Sequence, residues 1–277
     1  MALQNSTIAF IGSGVMAEAM IKGLLNGKLV SGDQIIAADP QSERGHELVA
    51  RYGLRYTHDN AAAAKDADIL VLSIKPQVMG EVARSLNGTG TKASLVLSIL
   101  AGVRIKTIAK GLNNPSIVRA MPNTPAQIGQ GITVWTATPE VPHTQREQAK
   151  ALLGALGDEL YMEDEKFLDM ATALSGTGPA YIFMFMEAMI DAGVHLGFSR
   201  RDAERLVLQT IRGSVDYAIQ SNMHPAPLRN QVTSPGGTSA AAIYEMEKGG
   251  LRTVIADAIW AAYRRSVELG DLQEKNG

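Results

Sequence analysis

A short apolar stretch, Thr7 to Ile11, runs straight into Gly12-Ser13-Gly14-Val15-Met16-Ala17, and that junction limits the folds open to the chain. The pattern G-x-G-x-x-A is weak evidence alone but strong where a strand precedes it and a helix follows. Gly12 then makes the tight turn, Gly14 admits a pyrophosphate close to the backbone, and Ala17 lets the helix lie near the sheet. The residues beyond keep the alternation. Strands are expected over Thr7 to Ile11, Gln34 to Ala38, Asp68 to Ser73, Ser94 to Ser98 and Ser116 to Ala120. Helices are expected over Met16 to Leu25, Ser42 to Tyr52, Asn60 to Ala67, Val78 to Leu86 and Ile105 to Leu112. Right-handed crossovers turn such a series into an α/β fold with a doubly wound parallel sheet covered on both faces.

Two further runs, Gly131 to Thr136 and Glu159 to Met162, read as added edge strands around an amphipathic helix carrying Ala149, Leu152, Leu153 and Leu156. After about Asp164 the strand signals stop, and Met, Ala and Leu replace Val and Ile as the recurring apolar residues. The division expected is therefore 1–164 for a dinucleotide-binding domain and 165–277 for a helical one. In the latter, one helix starts near Pro179 and another at Ser199, with Asp202 three residues on. A third spans Thr238 to Lys248 and ends at Gly249-Gly250, and the last runs from Leu251 to Leu269. Glu187, Asp191 and His195 share a helical stripe, which reads as a polar face ahead of a metal site.

Composition narrows the partners. A hydrophobic content of 45% supports a sizeable core, and a net charge of −2 without basic runs argues against nucleic acid or an anionic membrane surface. The most apolar stretch, Pro179 to Leu196, is too short and too interrupted to span a bilayer. The chain has no cysteine, so thiolate chemistry is excluded and a reducing compartment is permitted. With an apolar strand so near the first residue, a signal peptide has no room, and a cytoplasmic address is expected. The helical part carries more apolar surface than it can bury alone, which suggests a second copy of the chain.

Candidate ligand contacts cluster after the strands. Asp39 follows the second strand, where an acid accepts from a ribose hydroxyl and favours NAD, while Arg44 lies close enough to pair with the extra phosphate of NADP. Pro76 biases Lys75 away from helix and keeps it at a strand end beside Ser73 and Ile74. Ser98 to Gly102 also break regular structure at a strand end. Pro122 and Pro125 stiffen a loop holding Asn123, a further candidate cofactor contact, and Thr124. Ser175 to Pro179 open the helical part with free amides. Farther on, Ser234-Pro235-Gly236-Gly237-Thr238-Ser239 joins a Gly-Gly turn to an alanine-rich helix. As local structure this is a helix start with Thr238 as N-cap. As a site it is a cradle for a carboxylate, with backbone amides and two hydroxyls.

These segments, in this order and through essentially the whole chain, resemble pyrroline-5-carboxylate reductases. The resemblance is carried by Phe-Ile-Gly-x-Gly-x-Met-Ala, Ser-Ile-Lys-Pro, Arg119 to Ala126, Gly178-Pro179-Ala180-Tyr181 and Ser234 to Thr238. It implies a Rossmann-like domain followed by an all-helical dimerisation domain, a homodimer often assembled further into a decamer, and reduction of a cyclic imine to L-proline. It implies NADPH or NADH as cofactor, NADPH slightly favoured. Cofactor contacts would fall on Ile11, Gly12, Ser13, Gly14, Val15 and Met16, on Asn60, and on Ser73, Ile74, Lys75 and Pro76. Substrate contacts would fall on Ser234, Gly236, Gly237, Thr238 and Ser239. Thr238, Ser239 and Lys75 are the candidate catalytic residues, and whether Thr238 or Ser239 meets the ring nitrogen stays open. No metal is implied. Some relatives carry a glutamate where this chain has Asn222, so an acid there is not essential. Two alternatives remain at this point. One is a β-hydroxyacid dehydrogenase, which would need a helical-domain lysine, yet none occurs between Lys166 and Lys248. The other is a non-catalytic cofactor-binding sensor.

Overall fold

The computed structural model describes residues 2–86 and 95–276. Its first half is built from β1 (Ile8–Ile11), α1 (Val15–Asn26), β2 (Ile35–Ala38), α2 (Ser42–Tyr52), β3 (Arg55–Thr57), α3 (Asn60–Lys65), β4 (Ile69–Leu72), α4 (Met79–Leu86), β5 (Leu95–Ser98), α5 (Ile105–Leu112), β6 (Ile117–Met121), β7 (Gly131–Ala137), α6 (His143–Gly154) and β8 (Gly157–Tyr161). The strands form one sheet in the order β3-β2-β1-β4-β5-β6-β7-β8, parallel except where β6 meets β7. Chain order reverses between β1 and β4, and in open α/β sheets the crevice at that reversal is where ligands bind.

Strand alternation sorts the core into two layers. Ile8 and Phe10 of β1 point to one face, packing with Met20, Ile21 and Leu24 of α1 and Leu152 and Leu153 of α6. Ala9 and Ile11 point to the other, with Ala63 and Ala64 of α3 and Val82 and Leu86 of α4. All four residues of β1 are fully buried, as a central parallel strand requires.

Two differences from the sequence reading have physical causes. The run Gly131 to Thr136 is not an edge strand, because β7 pairs antiparallel with β6 on one side and parallel with β8 on the other, leaving β8 at the edge. β3 was not anticipated: Arg55-Tyr56-Thr57 has no apolar run, and as the opposite edge it needs none. Ser94, the expected start of β5, lies outside the described residues.

Beyond the sheet come α7 (Lys166–Ala171), a wide helical turn over Thr172–Gly176, α8 (Gly178–His195), α9 (Arg200–Ser221), α10 (Pro225–Gln231), α11 (Thr238–Lys248) and α12 (Leu251–Asn276). Ser199 caps α9 by accepting from the Asp202 amide at 3.1 Å. The chain forms two compact units, Met1–Gly178 with Ala262–Gly277, and Pro179–Ala261. Ionic contacts explain why the end of α12 belongs with the sheet. Arg119 on β6, nearly without exposure, reaches Glu165 at 2.8 Å and Asp169 at 3.3 Å. Asp169 in turn accepts from Ser266 at 2.8 Å, and Arg104 pairs with Asp271 and Glu274.

In the second unit only Ala203 and Val207 are buried among the described residues, while Phe183, Met184, Ile219 and Trp260 stay at least half exposed. Asp191 of the polar stripe pairs with Arg200 at 2.9 Å, and no metal-binding cluster of His, Asp and Glu occurs among the described residues. None of the described helices is long and apolar enough to cross a membrane.

The buried Arg119 cluster should dominate the polar contribution to stability. Arg119→Met strands two carboxylates and is expected to lower unfolding free energy by about 3 kcal/mol. Lys248→Ala, which removes an exposed pair with Glu245, should stay within about 0.5 kcal/mol. Urea unfolding of both variants measures the contrast, and equal losses would contradict it.

Candidate active site

At the sheet's reversal point, Gly12 adopts φ +87°, in the left-handed region that glycine tolerates. A Cβ there would fall 2.7 Å from Ile74 Cγ2 and 2.8 Å from the Ser73 carbonyl oxygen. The turn is tied down on both sides. The Ser73 hydroxyl donates to the Gly12 carbonyl at 2.6 Å, and the Gly12 amide donates to the Ala38 carbonyl at 2.8 Å. Gly14 is the N-cap of α1, with no capping side chain and open space where a Cβ would stand. The first-turn amides of Val15, Met16 and Ala17 therefore have no backbone acceptor, while the Glu18 amide begins the helical ladder on the Gly14 carbonyl. That arrangement, a side-chain-free approach to free amides at a helix N-terminus, fits the pyrophosphate of a dinucleotide.

Asp39 follows β2 with its carboxylate held at the same turn. It accepts from the Ser13 amide at 2.9 Å and from the Gln41 amide at 3.0 Å. Arg44, on α2, donates through Nε to the Ser13 carbonyl at 2.9 Å and pairs with Glu18 and Glu47. Arg51 bridges the same two glutamates, and the Tyr52 hydroxyl donates to Glu18 at 2.8 Å. Burial pushes the Glu18 carboxyl up, but hydrogen bonds from Arg44, Tyr52 and Arg51 and the charge of Arg44 outweigh it and hold its pKa below the usual glutamate value. Sequence spacing hinted at the Arg44, Glu47 and Arg51 part of this cluster, since these lie three and four apart on one helix. Nothing local pointed to Glu18.

Beside the turn lies a cavity of about 210 Å³ lined by Met16, Ser73, Ile74, Ile99, Met121 and Pro122. These residues come from the start of α1 and from the segments just after β4 and β5 and at the end of β6, so the strand-end segments singled out in the sequence do converge. The lining is apolar except for Ser73. In the sequence these segments are informative for their breaks in regular structure, Pro122 as a stiffener of its loop, and nothing local marks the side chains of Ile99, Met121 and Pro122 as cavity lining. Ile11 is buried at the end of β1. Lys75 is exposed and extended at φ −71°, ψ 140°, before the short turn that Pro76 begins. Asn60 opens α3 and donates to the Ser85 hydroxyl at 3.4 Å. Asn123 turns its carboxamide inward, donating to the Ser175 carbonyl at 3.2 Å and accepting from the Ile132 amide at 3.0 Å. Its side chain thus braces the loop, and what the loop shows the cavity is Met121 and Pro122.

In the second unit, Gly236 takes φ +69° and Gly237, at φ −79° and ψ 172°, is the N-cap of α11. The expectation that Thr238 caps the helix is corrected: Thr238 is its first residue, and no side chain caps the helix. The Thr238, Ser239 and Ala240 amides have no backbone acceptor, and helical bonding resumes from the Ala241 amide to the Gly237 carbonyl at 3.2 Å. A Cβ on Gly237 would sit 2.4 Å from Ser234 Oγ. The turn thus collects free amides and the hydroxyls of Ser234, Thr238 and Ser239, with no carboxylate of its own.

Two measurements follow. Gly12→Val forces a branched side chain onto Ser73 and Ile74 and into a left-handed backbone, so dinucleotide binding should fall beyond detection by calorimetry while α11 and its turn keep their helicity. The lowered Glu18 pKa means that this carboxylate stabilises the fold above its unfolded pKa, about 4.3, and that the contribution fades as pH drops through the lower folded value. Glu18→Gln should therefore reduce Tm at pH 7 and flatten the loss of Tm on going to pH 3. An unchanged acid limb would count against it.

The family model described as pyrroline-5-carboxylate reductase dimerisation matches residues 165–269, and one described as NADP oxidoreductase, coenzyme F420-dependent, matches residues 7–102. The chain is 42% identical to a pyrroline-5-carboxylate reductase of Synechocystis, over 95% of this chain and 98% of that one. It is 43% identical to the Pseudomonas aeruginosa protein of the same name, over 97% and 98%. The crystal structure of the Plasmodium falciparum pyrroline carboxylate reductase with NADP bound matches with a TM-score of 0.87 at 31% identity, covering 96% of this chain and 98% of that one. With a fingerprint turn at the sheet's reversal point, an amide-rich turn at the start of α11, and relatives this similar along their full length, the chain belongs to the pyrroline-5-carboxylate reductase family.

Proposed function

We propose that the protein reduces 1-pyrroline-5-carboxylate to L-proline with NAD(P)H, the last step of proline biosynthesis. The observation that carries this reading is the turn at residues 234–239. It offers a small anionic ring both backbone amides and neutral hydroxyls, none of them engaged as a helix cap. Family membership supplies the reaction class. The cofactor would be held by Ile11 to Met16, Asp39, Asn60 and Ser73 to Pro76, and when bound it supplies the hydride.

The chain's own residues orient the substrate and accommodate charge. The Thr238 and Ser239 amides, reached past Gly236 and Gly237, bind the carboxylate. Ser234 rims the same turn. A hydroxyl of Thr238 or Ser239 holds the ring nitrogen, which must accept electron density as the imine is reduced. The turn contains no acid, so the nitrogen's proton arrives with the substrate or from water. Lys75, exposed beside the cavity, contributes positive charge at the strand ends. The apolar lining from Met16, Ile74, Ile99, Met121 and Pro122 excludes water. A β-hydroxyacid dehydrogenase would need a lysine on a helix of the second domain, and none lies between Lys166 and Lys248.

We further propose a division at 164/165 between cofactor-binding and helical parts, the second start coinciding with the matched dimerisation family model. A homodimer formed through the helices would cover apolar side chains such as Phe183 and Trp260 that one chain leaves exposed. Assembly to a decamer and a cytoplasmic location, suited to a cysteine-free chain, complete the reading. Partners other than substrate, cofactor and further copies are not needed.

Following reduced-nicotinamide absorbance with pyrroline-5-carboxylate tests the reaction. The double variant Thr238→Ala, Ser239→Ala is expected to lower kcat/KM about 100-fold or more, with dinucleotide affinity retained. Full activity in that variant would remove the turn from the mechanism. Absence of turnover in the unaltered protein would remove the reaction itself.

A further inference from the structure

Cofactor choice is where Asp39 and Arg44 pull in opposite directions on sequence alone, and their surroundings decide between them. The Asp39 carboxylate is fixed by two backbone amides, Ser13 on one oxygen and Gln41 on the other. Each oxygen keeps a further lone pair, and the group stands after β2, where the adenosine ribose lies in this fold class. A ribose carrying free hydroxyls can donate to it. A 2′-phosphate would instead bring negative charge against negative charge in a partly buried setting, which needs a cation to compensate.

Arg44 is the cation at hand, and it is already committed. Its Nε donates to the Ser13 carbonyl, one terminal nitrogen pairs with Glu18 and the other with Glu47. Arg51 pairs with the same two glutamates, so the four side chains form a closed group with no net charge. Opening it to serve a phosphate would leave Glu18 and Glu47 beside the incoming anion. The guanidinium instead acts as a brace, holding α2 against the fingerprint turn.

We infer that this chain selects NADH over NADPH: Asp39 receives the ribose hydroxyls, while Glu18 and Glu47 withhold Arg44 from a 2′-phosphate. This rests on the reductase reading for the presence of a dinucleotide, and departs from the NADPH preference that the family resemblance implies. Asp39 is the specificity-determining residue, and Glu18 and Glu47 act through Arg44 as positioning residues.

Calorimetric titration of the purified protein with ADP-ribose and 2′-phospho-ADP-ribose, and with NADH and NADPH, tests this without any imine substrate. The unphosphorylated member of each pair should bind at least about tenfold more tightly, a difference of about 1.4 kcal/mol. Asp39→Asn, which keeps an acceptor and removes the charge, should narrow the gap. The double variant Glu18→Gln, Glu47→Gln should narrow it through tighter binding of the phosphorylated ligands, and it serves alone if the Asp39 variant fails to fold. Equal or tighter binding of the phosphorylated ligands by the unaltered protein overturns the inference and leaves the reductase reading standing. An unaltered ratio in the folded variants overturns the residue assignment. Failure to bind any of the four ligands overturns the reductase reading and the inference together.

Discussion

The hydrogen bond from the Ser73 hydroxyl to the Gly12 carbonyl joins the ends of β1 and β4, the two parallel strands between which the strand order reverses. Much of the sheet unit's function follows from that contact. It holds a left-handed glycine against Ile74 and the Ser73 backbone, with no room for even one more carbon. It thereby fixes where α1 begins, which of its amides stay free, and where Met16 and Ile74 meet to line the cavity. A short bond between two strand ends thus aligns a charged subsite and an apolar one.

The sheet was readable in the sequence wherever a strand is buried on both faces, because burial demands the apolar runs that mark β1, β2, β4 and β5 and that flank Arg119 in β6. It was unreadable where burial relaxes. β3 needs only backbone pairing, and three polar or aromatic residues suffice. β7 looked like an edge because a run such as Gly-Ile-Thr-Val-Trp-Thr says nothing of what will pair beyond it. The direction of β7 is likewise a property of the loop before it, braced by the Asn123 carboxamide, and not of the strand's composition.

The candidate site divides in the same way. Gly12, Gly14, Asp39 and the turn at residues 234–239 announce themselves because backbone conformation or a charge at a strand end restricts the residues allowed there. The roles of Arg44 and Asn123 do not, since both depend on partners far along the chain: Glu18 for the arginine, Ser175 and Ile132 for the asparagine. A polar side chain in a loop is informative about chemistry only once its existing hydrogen bonds are known, and for these two the bonds point into the protein's own framework.

The glycine N-cap of α11 has a thermodynamic corollary. Helices usually complete their first turn with their own side chains, and a cap of glycine in place of serine or threonine forgoes only a few tenths of a kcal/mol. Here that small sacrifice leaves Thr238 and Ser239 with idle hydroxyls and three amides with nothing to bond. An incoming carboxylate would then finish a secondary structure the chain has left incomplete. Ligand recognition and local helix order become one equilibrium, so occupancy of the turn should be read by the rigidity of the helix that starts there.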